Sequence, residues 1–156
     1  MGLTTQQNQK IHVLHVDDDP NILSVSKDIL ECDGKFHVQT ATCVDEALKK
    51  LSQHSFDAII SDYEMPQKNG LQFLEEIRSQ KNEIAFVMFT GRGREEVAVK
   101  ALNLGADRYI NKKVTPKPST ANSLTQSKKL WSVKKLECNW LRTRKKLISS
   151  TRNSAW

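Results

Sequence analysis

Three observations predict an α/β fold for this chain, a doubly wound five-stranded parallel sheet in a three-layer sandwich. Five short β-branched or aliphatic runs alternate with four stretches whose apolar residues recur at helical spacing. Acidic residues close two of those runs, at the strand ends where such sheets gather ligand-binding groups. The composition then changes abruptly after residue 113, which sets an atypical basic extension apart from the alternating part. The 156 residues fit one domain, since domains average ~100–200 residues.

The first strand is predicted over 11–16 and stops at Asp17, Asp18 and Asp19. Pro20 suits the opening turn of the helix that follows, where no backbone N–H is required. Over 21–31, Ile22, Val25, Ile29 and Leu30 share one helical face, and Asp33-Gly34 turns the chain. Residues 36–40 read as the second strand, and Val44, Ala47, Leu48 and Leu51 as the stripe of the second helix. A third strand over 56–61 ends at Asp62. The loop 63–69 contains Pro66 and leads through Gly70 to a helix with Leu71, Leu74 and Ile77 on its inner face. The continuous apolar run 84–89 reads as a strand buried on both faces, followed by Thr90 and a Gly91-Arg92-Gly93-Arg94 turn. Glu95 and Glu96 suit a helix N-terminus, Val97, Ala98, Ala101 and Leu102 supply that helix's inner face, and Gly105 ends it. A last strand covers 108–111, just before Lys112.

Right-handed crossovers bring the carboxyl ends of all these strands to one rim. Asp17, Asp18, Asp62, Thr90 and Lys112 are therefore expected to converge. Clustered carboxylates repel one another unless a cation joins them. All-oxygen ligands on a partly open surface suit Mg²⁺, which keeps several waters and leaves positions for phosphate oxygens. A carboxylate can itself attack a phosphoryl group and carry it as an acyl phosphate, with Mg²⁺ and a lysine neutralising the developing charge. Asp62, Mg²⁺ and Lys112 are expected in those roles.

Four segments carry a resemblance: His-Val-Leu-His-Val-Asp-Asp-Asp-Pro at 12–20, Ser-Asp-Tyr-Glu-Met-Pro at 61–66, Met-Phe-Thr-Gly at 88–91 and Gly-Ala-Asp-Arg-Tyr-Ile-Asn-Lys at 105–112. In this order and at these spacings they resemble the response-regulator receiver domain of two-component signalling, over roughly residues 10–113. The resemblance implies a flavodoxin-like, CheY-like fold. It implies that Asp62 is the phospho-acceptor, taking its phosphoryl group from the phosphohistidine of a sensor histidine kinase. Mg²⁺ would be held by Asp18, Asp62 and the backbone carbonyl of Glu64, with Asp17 nearby or acting through water. Lys112 would pair with the phosphoryl oxygens and the Thr90 hydroxyl would bond one of them. Tyr109 matches the aromatic switch position. A single-domain receiver acting on an unknown downstream protein, and a homodimer through the face of the fourth helix and last strand, are further expectations.

The chain departs from the family at Lys113, where members usually carry proline, often cis; a non-proline cis bond costs ~3 kcal/mol and is not expected. Glu64 and Arg92 lie two residues past Asp62 and Thr90, and are expected to pair across the mouth and slow hydrolysis. Gly91 and Gly93 read as turn residues, because position 96 is Glu where a dinucleotide fingerprint needs glycine. His12, His15, His37 and His54 read as structural residues on strand or helix edges, since none has metal-ligand spacing.

Charge divides the chain. Residues 1–113 carry 14 Lys and Arg against 17 Asp and Glu, whereas residues 114–156 carry 10 against 1. The stretch 114–127 reads as linker. Over 128–156, Leu130, Val133, Leu136, Trp140 and Leu147 recur near helical spacing among basic residues. Three readings stand for this tail: a substitute fifth helix, a solvated segment, or a basic helix binding nucleic acid or an acidic surface. No apolar run reaches the ~18 residues of a membrane span, and three cysteines without CxxC pairing suit reduced thiols, so a cytoplasmic protein is expected. Two rival functions are an Asp-x-Asp phosphatase of the haloacid-dehalogenase kind, built on Asp17-Asp18-Asp19, and a nucleic-acid module driven by the tail.

Overall fold

The computed structural model describes residues 10–32, 34–91 and 95–111. In chain order the elements are β1 (Ile11–Val16), α1 (Pro20–Glu31), β2 (Phe36–Ala41), α2 (Val44–Gln53), β3 (Ala58–Ser61), α3 (Gly70–Ser79), β4 (Ala85–Thr90), α4 (Glu95–Asn103) and β5 (Arg108–Asn111). All five strands pair in parallel in the order β2-β1-β3-β4-β5. The winding therefore reverses between β1 and β3, which opens a crevice at their carboxyl ends.

Alternation along each strand divides the apolar residues between two cores. Leu14, Val16, Ile59, Phe86 and Met88 face α2, α3 and α4, where they meet Ala47, Phe73, Leu74, Ile77 and Ala101. Ile11, Val13, Val38, Ala58, Ile60 and Val87 face the other way, toward Leu30 and the half-buried Ile22, Val25 and Ile29 of α1. This is the three-layer sandwich that the strand and helix periodicities predict.

Local chemistry sets the helix starts. Asp19 caps α1 by accepting from Asn21 N at 2.9 Å, with Pro20 in the first turn. Asn69 and Gln72 form a reciprocal capping box at α3. At the far end of the sheet from the crevice, Arg78 grips the α4–β5 turn: Nε and Nη2 donate to the Gly105 carbonyl at 3.2 and 2.8 Å, and Nη1 donates to Asn82 O at 2.7 Å. Gly105 holds φ +92, a conformation that favours glycine, and so ends α4 where the sequence places its end.

Three expectations need correction. Leu102 is not on the inner face of α4: it is 51% exposed, and Ala101 is the buried residue of that helix. His15 is not at an edge: it is fully buried on β1, an interior strand of the sheet, with Nδ1 2.5 Å from Ser26 Oγ of α1. A buried imidazole needs such a partner. β3 begins at Ala58 rather than 56, because the Asp57 carboxylate takes the His12 N–H at 2.8 Å in place of a backbone carbonyl. Lys112, Lys113, Arg92, the linker 114–127 and the tail 128–156 lie outside the described residues. Among the described residues no helix is long and apolar enough to cross a membrane.

Candidate functional site

The sheet register places the acids. Val16 pairs with Ser61 and Ser61 with Met88, so the residues that follow β1 and β3 leave the sheet side by side. Each ladder extends one residue further: Asp62 N donates to Val16 O at 2.8 Å, and Asp17 N donates to Ala41 O at 3.2 Å. Asp17, Asp18 and Asp62 consequently present carboxylate oxygens that all lie within 4.8 Å of one another. Asp17 is 1% exposed and Asp62 8%, while Asp18 is exposed to solvent.

Identical side chains divide three tasks here. Asp19 is spent on the helix cap, and Asp17 Oδ1 accepts from Asp19 N at 3.0 Å, which ties the cap to the rim. Asp62 Oδ1 accepts from Tyr63 N at 2.8 Å. Beside these acids opens a cleft of about 680 Å³, lined by Asp18, Asp62, Glu64, Pro66, Asn69 and Thr90 among others. Thr90, the last residue of β4, is 1% exposed and borders it. Lys112 follows Asn111, whose register partner is Thr90, but Lys112 itself is not described. The rim thus unites Asp17, Asp18, Asp62, Glu64 and Thr90 among the expected site residues.

The donor set suits Mg²⁺. It offers carboxylate oxygens only, from one exposed and two buried residues, on an open cleft with room for water and phosphate oxygens. Nitrogen or sulfur ligands of the kind that select zinc or copper are missing from this cluster.

Tyr109 packs half-buried against the core beneath α4, and its hydroxyl is buried with no hydrogen-bond partner among the described residues. Burial, and secondarily the phenol of Tyr63, push its ionisation above the ordinary value of 10.0. The neutral phenol is therefore favoured by folding, and its contribution is intact below pH 10 and lost as pH rises through the folded value. Tyr109→Phe should match or exceed wild-type stability, by up to ~1 kcal/mol, because it removes an unsatisfied buried group. A loss in urea unfolding would mean that the hydroxyl has a partner.

Sequence reasoning missed two supports of the loop after Asp62. Lys68 bridges α2 and α3, with Nζ 3.2 Å from Asp45 and 3.1 Å from Glu76. Those bonds, Glu76 first, hold its ammonium above the usual range. Gly70 reads in sequence as a loop ending, but a Cβ there would stand 2.3 Å from the Asp62 carbonyl oxygen and 2.8 Å from Met88 Sδ. The loop folds back that closely, with Gly70 N donating to Tyr63 O at 2.9 Å. Gly70→Ala should lower stability by about 1–3 kcal/mol through overpacking, read as an earlier urea midpoint; an unchanged midpoint would show that the loop yields freely.

Fold and rim together define a doubly wound α/β domain with an acidic, oxygen-lined pocket at the switch point of its sheet. Comparison with known proteins carries this to a family. The family model of the response regulator receiver domain matches residues 13–122. The response regulator SaeR of Staphylococcus aureus is 35% identical over 121 residues, 76% of this chain and 52% of that protein. Among solved structures, a CheY-like receiver domain protein from Methanospirillum hungatei aligns with a TM-score of 0.68 at 29% identity, over 87% of this chain and 99% of its own. The chemotaxis protein CheY4 of Vibrio cholerae aligns at 0.63 and 31%, over 69% and 91%. The chain belongs to the response-regulator receiver family of two-component systems. It spans about half the length of the curated relatives it matches. Members of the family are phospho-acceptor switches rather than conventional enzymes, phosphorylated on aspartate and binding Mg²⁺ in an acidic pocket.

Proposed function

We propose that Asp62 is the phospho-acceptor of this receiver and that its donor is the phosphohistidine of a sensor histidine kinase. The observation that carries this reading is the meeting of three carboxylates from β1 and β3 within 4.8 Å. Asp18, Asp62 and the Glu64 backbone carbonyl, with Asp17 beside them, are the groups that would hold Mg²⁺. When bound, that ion neutralises charge on the transferring phosphoryl oxygens. An Asp62 carboxylate oxygen attacks phosphorus, the phosphorus–nitrogen bond of the donor breaks with its electron pair left on nitrogen, and that nitrogen takes a proton from solvent as the imidazole leaves. The Tyr63 N–H holds the Asp62 carboxylate in place during the attack.

Thr90 then bonds a phosphoryl oxygen and Lys112 pairs with another, and Tyr109 moves as Thr90 is drawn inward. Glu64 and Arg92 pair across the mouth and slow hydrolysis. Reversing a 1:99 population takes about 5.5 kcal/mol of differential interaction. Val99 and Leu102 stand 57% and 51% exposed on α4, which supports output through α4 and β5, to a downstream protein or a second copy. The domain is read as residues 10–113 with a linker and basic tail beyond, in a cytoplasmic protein. The Asp-x-Asp phosphatase reading loses ground, because Asp17 is almost fully buried and Asp19 is occupied as a cap.

The test is incubation of the chain with a small phosphodonor, with and without Mg²⁺, followed by intact-mass measurement. One phosphoryl adduct that appears only with Mg²⁺ is expected. No adduct under either condition would overturn the reading.

A further inference from the structure

The histidines read as structural because no two stand at a ligand-like spacing, yet the sheet register brings two together. His12 on β1 is the register partner of His37 on β2, so both side chains leave the same face of the sheet at adjacent positions. Their ring centroids lie 5.2 Å apart at an interplanar angle of 62°, and both residues are exposed. Glu31, at the end of α1, spans the open edge of β2: its Oε1 accepts from Val38 N at 2.7 Å and lies 3.5 Å from His37 Nδ1. On the other side, His12 exchanges two bonds with Asp57, donating from N to the carboxylate at 2.8 Å and accepting at O from Asp57 N at 2.8 Å. Both imidazoles therefore rise from firmly held backbone, at the end of the strands remote from the acidic rim.

We propose that His12 and His37 form a site for a borderline divalent transition cation such as Zn²⁺, with Glu31 orienting His37. Imidazole nitrogens select Zn²⁺, Cu²⁺ or Ni²⁺ over Mg²⁺, so this pair and the oxygen-lined rim take different ions by donor chemistry alone. The carboxylate beside Nδ1 favours the tautomer with hydrogen on that nitrogen and leaves the Nε2 lone pair for the metal. Zn–N bonds of ~2.0–2.1 Å put two nitrogens on one ion about 3.3 Å apart. Rings with centroids 5.2 Å apart reach that separation by modest side-chain rotation, which exposure permits. Water completes the coordination.

The test uses the full chain with excess Mg²⁺ to saturate the rim and a reductant to keep thiols reduced. Zn²⁺ is titrated while the histidine ring resonances are followed by NMR and the heat by calorimetry. One equivalent should shift the His12 and His37 resonances together. His12→Gln and His37→Gln should each weaken binding at least tenfold, and Glu31→Gln by about tenfold, whereas His54→Gln and Asp62→Asn should leave it unchanged. Equal binding by the His12 and His37 variants, loss that follows His54 or Asp62 instead, or wild-type resonances that stay still would each overturn the site. The wild-type resonances decide the matter even if a variant folds poorly.

Discussion

Asp62→Asn should take up no phosphoryl group from a small donor while folding more stably than wild type in Mg²⁺-free buffer. The amide cannot serve as the nucleophile, so the adduct disappears altogether. Stability moves the other way because one of three clustered charges is removed. Two unit charges 4 Å apart repel by about 4 kcal/mol at an effective dielectric constant of 20. Hydrogen bonds such as that from Tyr63 N to Asp62 offset part of this repulsion, so a net gain on the order of 1 kcal/mol is expected. Mg²⁺ should accordingly raise the melting temperature of wild type more than that of the variant. Intact mass and thermal melts in the two buffers check both halves. A variant that still carries the adduct would move the acceptor to Asp17 or Asp18.

Phe86→Ala should lower stability by about 3–5 kcal/mol, a larger loss than that of Gly70→Ala. Phe86 is fully buried on β4 and meets Phe73 of α3 edge-on, with ring centroids 5.6 Å apart. Its truncation leaves a void between sheet and helix that a close-packed core fills poorly. Domains of this size have about 5–15 kcal/mol in total, so a fall in melting temperature of more than about 10 °C is expected. Phe86→Leu should cost much less, since it keeps most of the volume. If both substitutions proved equally mild, the packing of α3 on the sheet would have to be looser than the ring geometry implies.

Most of the fold was legible because each element carries its own period. Leu14 and Val16 alternate with Val13 and His15, and Leu74 and Ile77 recur on the helical face read from the sequence, although the fully buried Phe73 escaped that reading and Leu71 is only partly buried. The rim was legible for a topological reason: a parallel sheet sends every strand's carboxyl end the same way, so Asp17 and Asp62 had to approach. What escaped the sequence depends on distances between segments. Nothing in a run of three aspartates says that the third caps a helix while the first two join Asp62. Gly70 marks a loop in sequence, whereas in space it is the gap that admits the Asp62 carbonyl. His15 was misplaced because its burial depends on α1 lying across β1 and bringing Ser26 to its ring. His12 and His37 are 25 positions apart, and only the β1–β2 register makes them neighbours.

The grip of Arg78 on the α4–β5 turn bears on how a signal can leave the domain. Gly105 O and the Asp107 carboxylate are both held by the guanidinium, the latter at 3.6 Å. Asp107 in turn exchanges two bonds with the backbone of Phe86, at 2.8 and 2.9 Å. Residues 105–107 are thus riveted to the sheet, so any swing of α4 and β5 that follows the proposed phosphorylation of Asp62 pivots about that base and is largest beside Thr90 and Asn111. Arg78→Ala should free the base and speed amide exchange at Ala106 and Asp107; undiminished protection there would locate the pivot elsewhere.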